Sequence, residues 1–349
     1  MSKTKGWFEK FLSSSTHRAE RRQAEKFAAY YWTGSAMKEA YVSNISSTGV
    51  LLLSDEPWDL GMVVWLTLQR KGPLDMNPER RMTWQAKVAR RGGDGIGLTF
   101  ISPSDAESRQ WESLLDSLAE RTKVVDMVHL VRMAEALGFL RRLCPGGAEE
   151  VKTLLGGRLS NHRVENAVEI ALEAERTLQG EPNAGKLRAL PHLVVRILEY
   201  GSAADGKWIE KFWAGLLAAS CTADGKDEST LAMIDLLNQL LPDHVRILEY
   251  ACTSATKVVS ESGVVSSPMH ACTTEEILEK SGTRAVRIQV ELEQLTDLGL
   301  LVKEEDLQVV VPARKVNLTP SDLGLQLYAR CRGHRGPLRE FYGIASPNA

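Results

Sequence analysis

The chain has 349 residues, 43% apolar and 25% charged, with 43 Lys and Arg against 45 Asp and Glu and a formal charge of -2. This is the make-up of an ordinary globular protein of two or three domains, and it excludes a globally basic nucleic-acid binder. No apolar run approaches the ~20 residues of a membrane-spanning helix, and the N-terminus lacks the apolar core of a signal peptide, so a reducing cytoplasm is the expected compartment.

Residues 1–17 read as a separate N-terminal segment. Its short aromatic run, Gly6-Trp7-Phe8 with Phe11-Leu12, suits a frayed end or a short packed helix better than a membrane anchor. From there to about residue 103 the texture is β-rich. Strands are expected at 41–45, 50–53, 63–68, 84–88 and 96–100, separated by turn residues at Thr33-Gly34, 54–57, 71–73 and 92–95. Short strands at such close spacing predict an antiparallel barrel or sandwich.

After Pro103 the apolar period becomes 3.6. Ser104-Asp105 is a helix-start signal, and Trp111, Leu114, Leu115 and Leu118 form one stripe, closing a first domain at 118. A helical region is expected over 123–257, with helices at 124–143 and 161–178. Trp208, Ile209, Phe212, Trp213, Leu216 and Leu217 read as a buried packing face. Arg196-Ile197-Leu198-Glu199-Tyr200 recurs as Arg246 to Tyr250, which is similar helix chemistry rather than a solenoid. The Ser/Val/Gly-rich stretch 258–271 reads as a linker.

A last module is expected over 272–335, followed by a tail at 336–349. Thr273-Thr274-Glu275-Glu276 carries a capping box, a short helix stops at Gly282, and a longer one covers 283–298. Residues 300–302 and 308–311 are candidates for a hairpin, and Thr319-Pro320 opens a final helix to Cys331. That order is the order of a winged helix. The expected fold class is therefore α+β multidomain: an N-terminal antiparallel β-barrel, then an all-α region ending in a winged-helix-like module.

One constellation carries recognisable chemistry. Arg18-x-x-x-Arg22, with Arg21 between, precedes the first strand, and Asn44-x-Ser46-x-x-Gly49 falls at the join of two strands. Gly97-Leu98-Thr99-Phe100 ends the β-rich region. In this order they resemble the PilZ family, over about residues 18–118. The resemblance implies a six-stranded barrel and cyclic di-GMP as ligand, held by Arg18, Arg21, Arg22, Asn44, Ser46 and Gly49; the alternative is a degenerate barrel that serves as a structural or protein-interaction module without nucleotide binding.

The residue types suit that ligand. A guanidinium forks onto a phosphate or onto guanine O6 and N7, Asn44 offers an amide oxygen to guanine N–H groups, and Ser46 gives or takes one bond. Gly49 is expected to supply a positive-φ turn and close approach. The register is open, because Arg22-x-x-x-Lys26 also fits the spacing. Asn44 also stands where aspartate is commoner in the family, which removes a full negative charge.

Residues 186–335 resemble, through mostly apolar positions such as Phe212-Trp213-Ala214-Gly215-Leu216 and Leu295-Thr296-Asp297-Leu298-Gly299, the abortive-infection alpha family. Partner contact is the expected role of this part. DNA binding through Arg284 and Arg287 is disfavoured by Glu291 and Glu293 on the same helix.

Other signals fail. Gly180 to Lys186 fits G-x-x-x-x-G-K, but Leu187 follows where Ser or Thr is needed and a helix precedes it. Cys144, Cys221, Cys252, Cys272 and Cys331 are scattered, which argues for small buried residues rather than disulfides or zinc. No metal-ligand spacing and no nucleophile motif supports catalysis, so no cofactor and no enzymatic activity are expected.

Overall fold

Alternation of period two governs the first part of the chain, and it closes on itself. In a computed structural model, which describes residues 27–32, 37–46, 48–70, 81–101, 106–121, 127–179, 181, 183–204, 206–260, 263–283, 288–307 and 309–344, six strands form a barrel. They are β1 (Phe27–Trp32), β2 (Met37–Ile45), β3 (Gly49–Leu53), β4 (Val63–Arg70), β5 (Arg81–Gly92) and β6 (Gly95–Phe100). The closed order is β1-β2-β3-β6-β5-β4, with β1 paired to both β2 and β4, and every pairing is antiparallel. Closure leaves the barrel no unpaired edge.

The interior is filled by Ala29, Tyr31, Val42, Ile45, Val50, Leu52, Leu66, Leu68, Val88, Ile96 and Leu98, all buried. Burying one such aliphatic side chain contributes about 1.5–3 kcal/mol, so this set dominates the stability of the barrel.

The chain divides into two compact units, 1–161 and 162–349. In the first, α1 (Ala106–Arg121), α2 (Met127–Leu143) and the short α3 (Ala148–Thr153) follow the barrel. Helix α2 packs on β1 and β4 from outside. That explains β4, where Val64, Trp65, Leu66, Thr67, Leu68 and Gln69 are buried without alternation: one side faces the barrel interior and the other is covered. Arg141 on α2 donates to Gln85 Oε1 on β5 at 2.8 Å. The outer side of β2, β3 and β6 keeps exposed residues, among them Tyr41, Asn44, Leu53 and Thr99.

The second unit holds α4 (Asn161–Leu178), α5 (Pro191–Gly201), α6 (Lys207–Ala219), α7 (Leu231–Asn238) and α8 (Pro242–Ser254). The aromatic stripe on α6 is core, with Phe212 and Trp213 each 2% exposed, although Trp208 at its start reaches solvent. The described part of the G-x-x-x-x-G-K stretch is a loop with a single 3₁₀ turn at Ala184–Lys186, between two helices. All five cysteines are free thiols and buried.

Residues 258–271, read above as linker, contain structure. β7 (Val258–Val259) pairs with β8 (Val265–Ser266), and β9 (Ala271–Cys272) begins the next ladder. Helix α9 (Thr274–Ser281) starts with the expected capping box: Glu276 N–H donates to Thr273 Oγ1 at 3.2 Å, and Thr273 N–H to Glu276 Oε2 at 2.9 Å. It stops at Gly282, which has φ 65°.

Helix α10 (Ile288–Asp297) follows, then β10 (Val316–Asn317), α11 (Asp322–Cys331) and α12 (Leu338–Phe341). The hairpin expected between 300–302 and 308–311 is not the pairing adopted by the described residues. Leu301 bridges Pro320, Val302 N–H donates to Thr319 O at 2.9 Å, and β10 pairs with β9. The segment 316–321 therefore lies between two partners, 270–272 and 300–302. Val309 and Val310 face solvent instead, Val310 being 92% exposed.

Candidate functional site

The join of β2 and β3 is built by local hydrogen bonding. Ser46 N–H donates to Gly49 O at 2.9 Å, and Thr48 N–H donates to Ser46 Oγ at 3.3 Å. Ser46 Oγ also stands 3.3 Å from Gly49 O and from Thr48 Oγ1, so its hydroxyl holds the turn together. Phe100 N–H donates to Thr48 O at 2.8 Å, which ties the turn to the end of β6.

Gly49 is required here for a reason other than the one expected. It does not adopt positive φ; the positive-φ glycines of the barrel unit are Gly61 and Gly95 among the described residues. A Cβ on Gly49 would stand 2.3 Å from the backbone oxygen of Leu98, so only glycine lets β3 approach β6 at this point.

Asn44 points outward and is exposed, and the cause is a bulge. The β2–β3 register shifts between Val42, paired with Leu52, and Asn44, paired with Leu51. Val42 and Ile45 can then both be buried although three positions apart, and Ser43 and Asn44 are left on the outer side. The structure thus brings Asn44, Ser46 and Gly49 together at one corner of the barrel. Arg18, Arg21, Arg22 and Lys26 lie outside the described residues.

The same outer face holds two cations that sequence reading missed. Across the sheet, Asn44 neighbours Leu51, Leu51 neighbours Gly97, and Gly97 neighbours Arg90. A parallel row runs Gly49, Thr99, Lys87, Val63. A shallow groove beside it is lined by Leu60, Gly61, Lys87, Val88, Ala89, Thr99 and Ile101. The available signal was the dibasic Arg90-Arg91, but the expected strand stopped at 88, whereas β5 runs to Gly92.

In the second unit, His270, Ser254, Cys272 and Tyr250 form a polar cluster. Ser254 Oγ and Cys272 Sγ lie 2.9 and 3.4 Å from His270 Nε2, and Tyr250 Oη is 3.9 Å from the sulfur. Burial raises the Cys272 thiol above its usual range and the Tyr250 phenol to about 12, and it holds the His270 imidazolium below its ordinary value. A thiol kept protonated in this way is a poor nucleophile. No group of three or more metal-ligating side chains gathers among the described residues.

Comparison with known families agrees with this division of the chain. Residues 18–117 match the PilZ domain, and residues 161–331 match the abortive infection alpha family. The barrel segment is similar to the first and the helical unit to the second. No curated protein and no solved structure matches the chain. No described helix is long and apolar enough to cross a membrane.

Proposed function

We propose that the barrel unit is a receptor for cyclic di-GMP and that the helical unit passes its state to a protein partner. One observation carries the reading: within a segment that matches the PilZ domain, Asn44 stands exposed beside the Ser46–Gly49 turn, on a barrel face that α2 does not cover. Arg18, Arg21 and Arg22 supply the planar cations from the segment ahead of β1. Four or five hydrogen bonds to charged groups, each contributing about 1.5–3 kcal/mol, suffice for a dissociation constant near 1 μM after association costs.

Titration calorimetry of the full chain tests this directly. Saturable heat with cyclic di-GMP, lost in Arg22→Ala, is the expected result. Absence of heat at about 100 μM nucleotide, a hundredfold above that constant, rejects the receptor.

The partner surface follows from the C-terminal ladder. We read β9, α9, α10, the 300–302 arm and β10 as a winged helix, since the last strand lies between the other two and a helix pair separates the first from them. Among the described residues of α10, the exposed ones are Gln289, Val290, Glu293, Gln294 and Asp297. Two carboxylates and no base on that face repel phosphate, which favours a protein over DNA. Arg284 and Arg287 lie outside the described residues.

A further inference from the structure

Residues 87 and 90 of a regular strand point to opposite faces, because side chains alternate with period two. Here both Lys87 and Arg90 are exposed, while Val88 between them is 1% exposed. The cause is a second bulge: the β5–β6 register shifts between Val88, paired with Leu98, and Arg90, paired with Gly97. The two bulges flank the regular β3–β6 pair symmetrically. One turns Asn44 outward on β2 and the other turns Arg90 outward on β5, and both residues fall in the same cross-strand row. Bulges that re-aim side chains gather beside binding sites.

The floor between them suits a flat ring. Leu51 is half-buried and Gly97 has no side chain. The Arg90 side chain lies over that gap: a Cβ on Gly97 would meet Arg90 Cγ at 2.6 Å and Nε at 3.1 Å. The stem and Nε of Arg90 thereby lie over β6, on the outer face that Asn44 shares. Three strand spacings of about 4.8 Å separate the Asn44 and Arg90 backbones, roughly 14 Å. The Arg90 hydrogen bond from Nη2 to Asp94 Oδ2 at 3.0 Å uses one of five N–H donors, and both side chains are more than half exposed. An exposed pair of this kind adds little to stability, so the guanidinium can change partner at small cost.

We propose that Arg90 is a ligand-contacting residue of the nucleotide site, forking onto an acceptor pair of the bound nucleotide from the side opposite Asn44. The proposal rests on the cyclic di-GMP reading above and adds a cation from the barrel wall to those of the N-terminal segment. A single charged fork of this type changes affinity by tenfold or more.

The test is calorimetric titration of cyclic di-GMP into the full chain and three variants, with melting curves taken on the ligand-free proteins. Arg90→Ala is expected to weaken binding at least tenfold without moving the ligand-free melting temperature, and Arg90→Lys to restore part of the loss at most. Arg91→Ala removes the same charge from the adjacent position, outside the Asn44 row, and is expected to bind as the unaltered chain does. If the unaltered chain binds and Arg90→Ala binds equally well, the role of Arg90 is wrong and the receptor stands. Equal loss in Arg90→Ala and Arg91→Ala also overturns it, in favour of general charge attraction. No binding by the unaltered chain removes the receptor and this inference together.

Discussion

The indole of Trp65 on β4 lies against Gly138 on α2 so closely that a Cβ there would stand 1.7 Å from Nε1. Trp65 is 5% exposed and faces away from the barrel interior, so this contact fixes how the helix lies on the strand. Gly138→Ala forces the ring or the helix aside. Such overpacking costs about 1–3 kcal/mol, and in a unit of this size the melting midpoint should fall by about 2–4 °C per kcal/mol. Gly146→Ala, where a Cβ meets nothing within 4 Å, should leave the midpoint unchanged. A melt of Gly138→Ala that overlays the parent curve would contradict the packing described.

Asn44 and Gly49 should separate binding from folding. Asn44 is exposed on a bulge, so Asn44→Ala should alter stability by under about 0.5 kcal/mol while weakening cyclic di-GMP about tenfold. Gly49→Ala places a methyl 2.3 Å from the Leu98 carbonyl and must part β3 from β6. It should lose stability and binding together. Calorimetric titration paired with urea unfolding measures both quantities.

His244 anchors α10 to α8. Its Nδ1 accepts from Leu241 N–H at 3.2 Å, and its Nε2 lies 2.5 Å from Glu291 Oε2. The imidazole is 3% exposed and the carboxylate 20%. His244→Ala opens a cavity and leaves Glu291 half-buried without its neighbour, a loss of about 2–4 kcal/mol. Glu291→Gln keeps an acceptor oxygen and should cost under about 1.5 kcal/mol. Urea midpoints of the two variants give the comparison, and an unchanged midpoint in His244→Ala would show that the pair does not matter.

Acid should weaken the second unit through His270. Burial first, then Lys257 and Lys315, hold its imidazolium below the ordinary 6.5, against a smaller pull from Glu276. Between the folded value and 6.5 the unfolded chain binds more protons, so stability rises with pH in that window. The contribution is complete above pH 6.5 and is lost as pH falls through the folded value. Melting temperatures from pH 7.5 to 5 should therefore decline, and His270→Gln should flatten that decline. An identical slope in the variant would exclude His270 as the cause.

Five of the six barrel strands were legible because alternation and turn residues survive in the sequence where one side of a strand is buried; β1 (Phe27–Trp32), buried at Phe27, Ala28, Ala29 and Tyr31 without alternation, was not among the expected strands. The echo of Arg196 to Tyr200 in Arg246 to Tyr250 was legible in the same way. In both copies Ile and Leu are buried and Arg, Glu and Tyr are half-buried, while the arginines take different partners, Asp235 for Arg196 and Gly282 O for Arg246.

Pairing choices were not legible. Residues 308–311 carry strong β propensity, but the middle place in the ladder goes to Val316–Asn317. There Asn317 Nδ2 donates to Val302 O and Asn317 Oδ1 accepts from Thr319 N–H, so side-chain bonds decide what propensity does not. Within the candidate site, the Asn44–Ser46–Gly49 corner was found from its motif. Arg90 was hidden because its direction depends on a bulge at 88–90, and a one-residue register shift leaves no mark in a sequence.

The placing of 316–321 between 270–272 and 300–302 also governs when this part of the chain can fold during synthesis. The outer two stretches leave the ribosome first and have no partner in each other. A nascent chain released only to residue 315 holds both with their ladder donors and acceptors unmet, and neither stretch is secured until about a second of further elongation delivers the middle one. Ribosome stalling at codons between 303 and 315 would prolong that interval, and a chaperone that shields bare strands would find its client there.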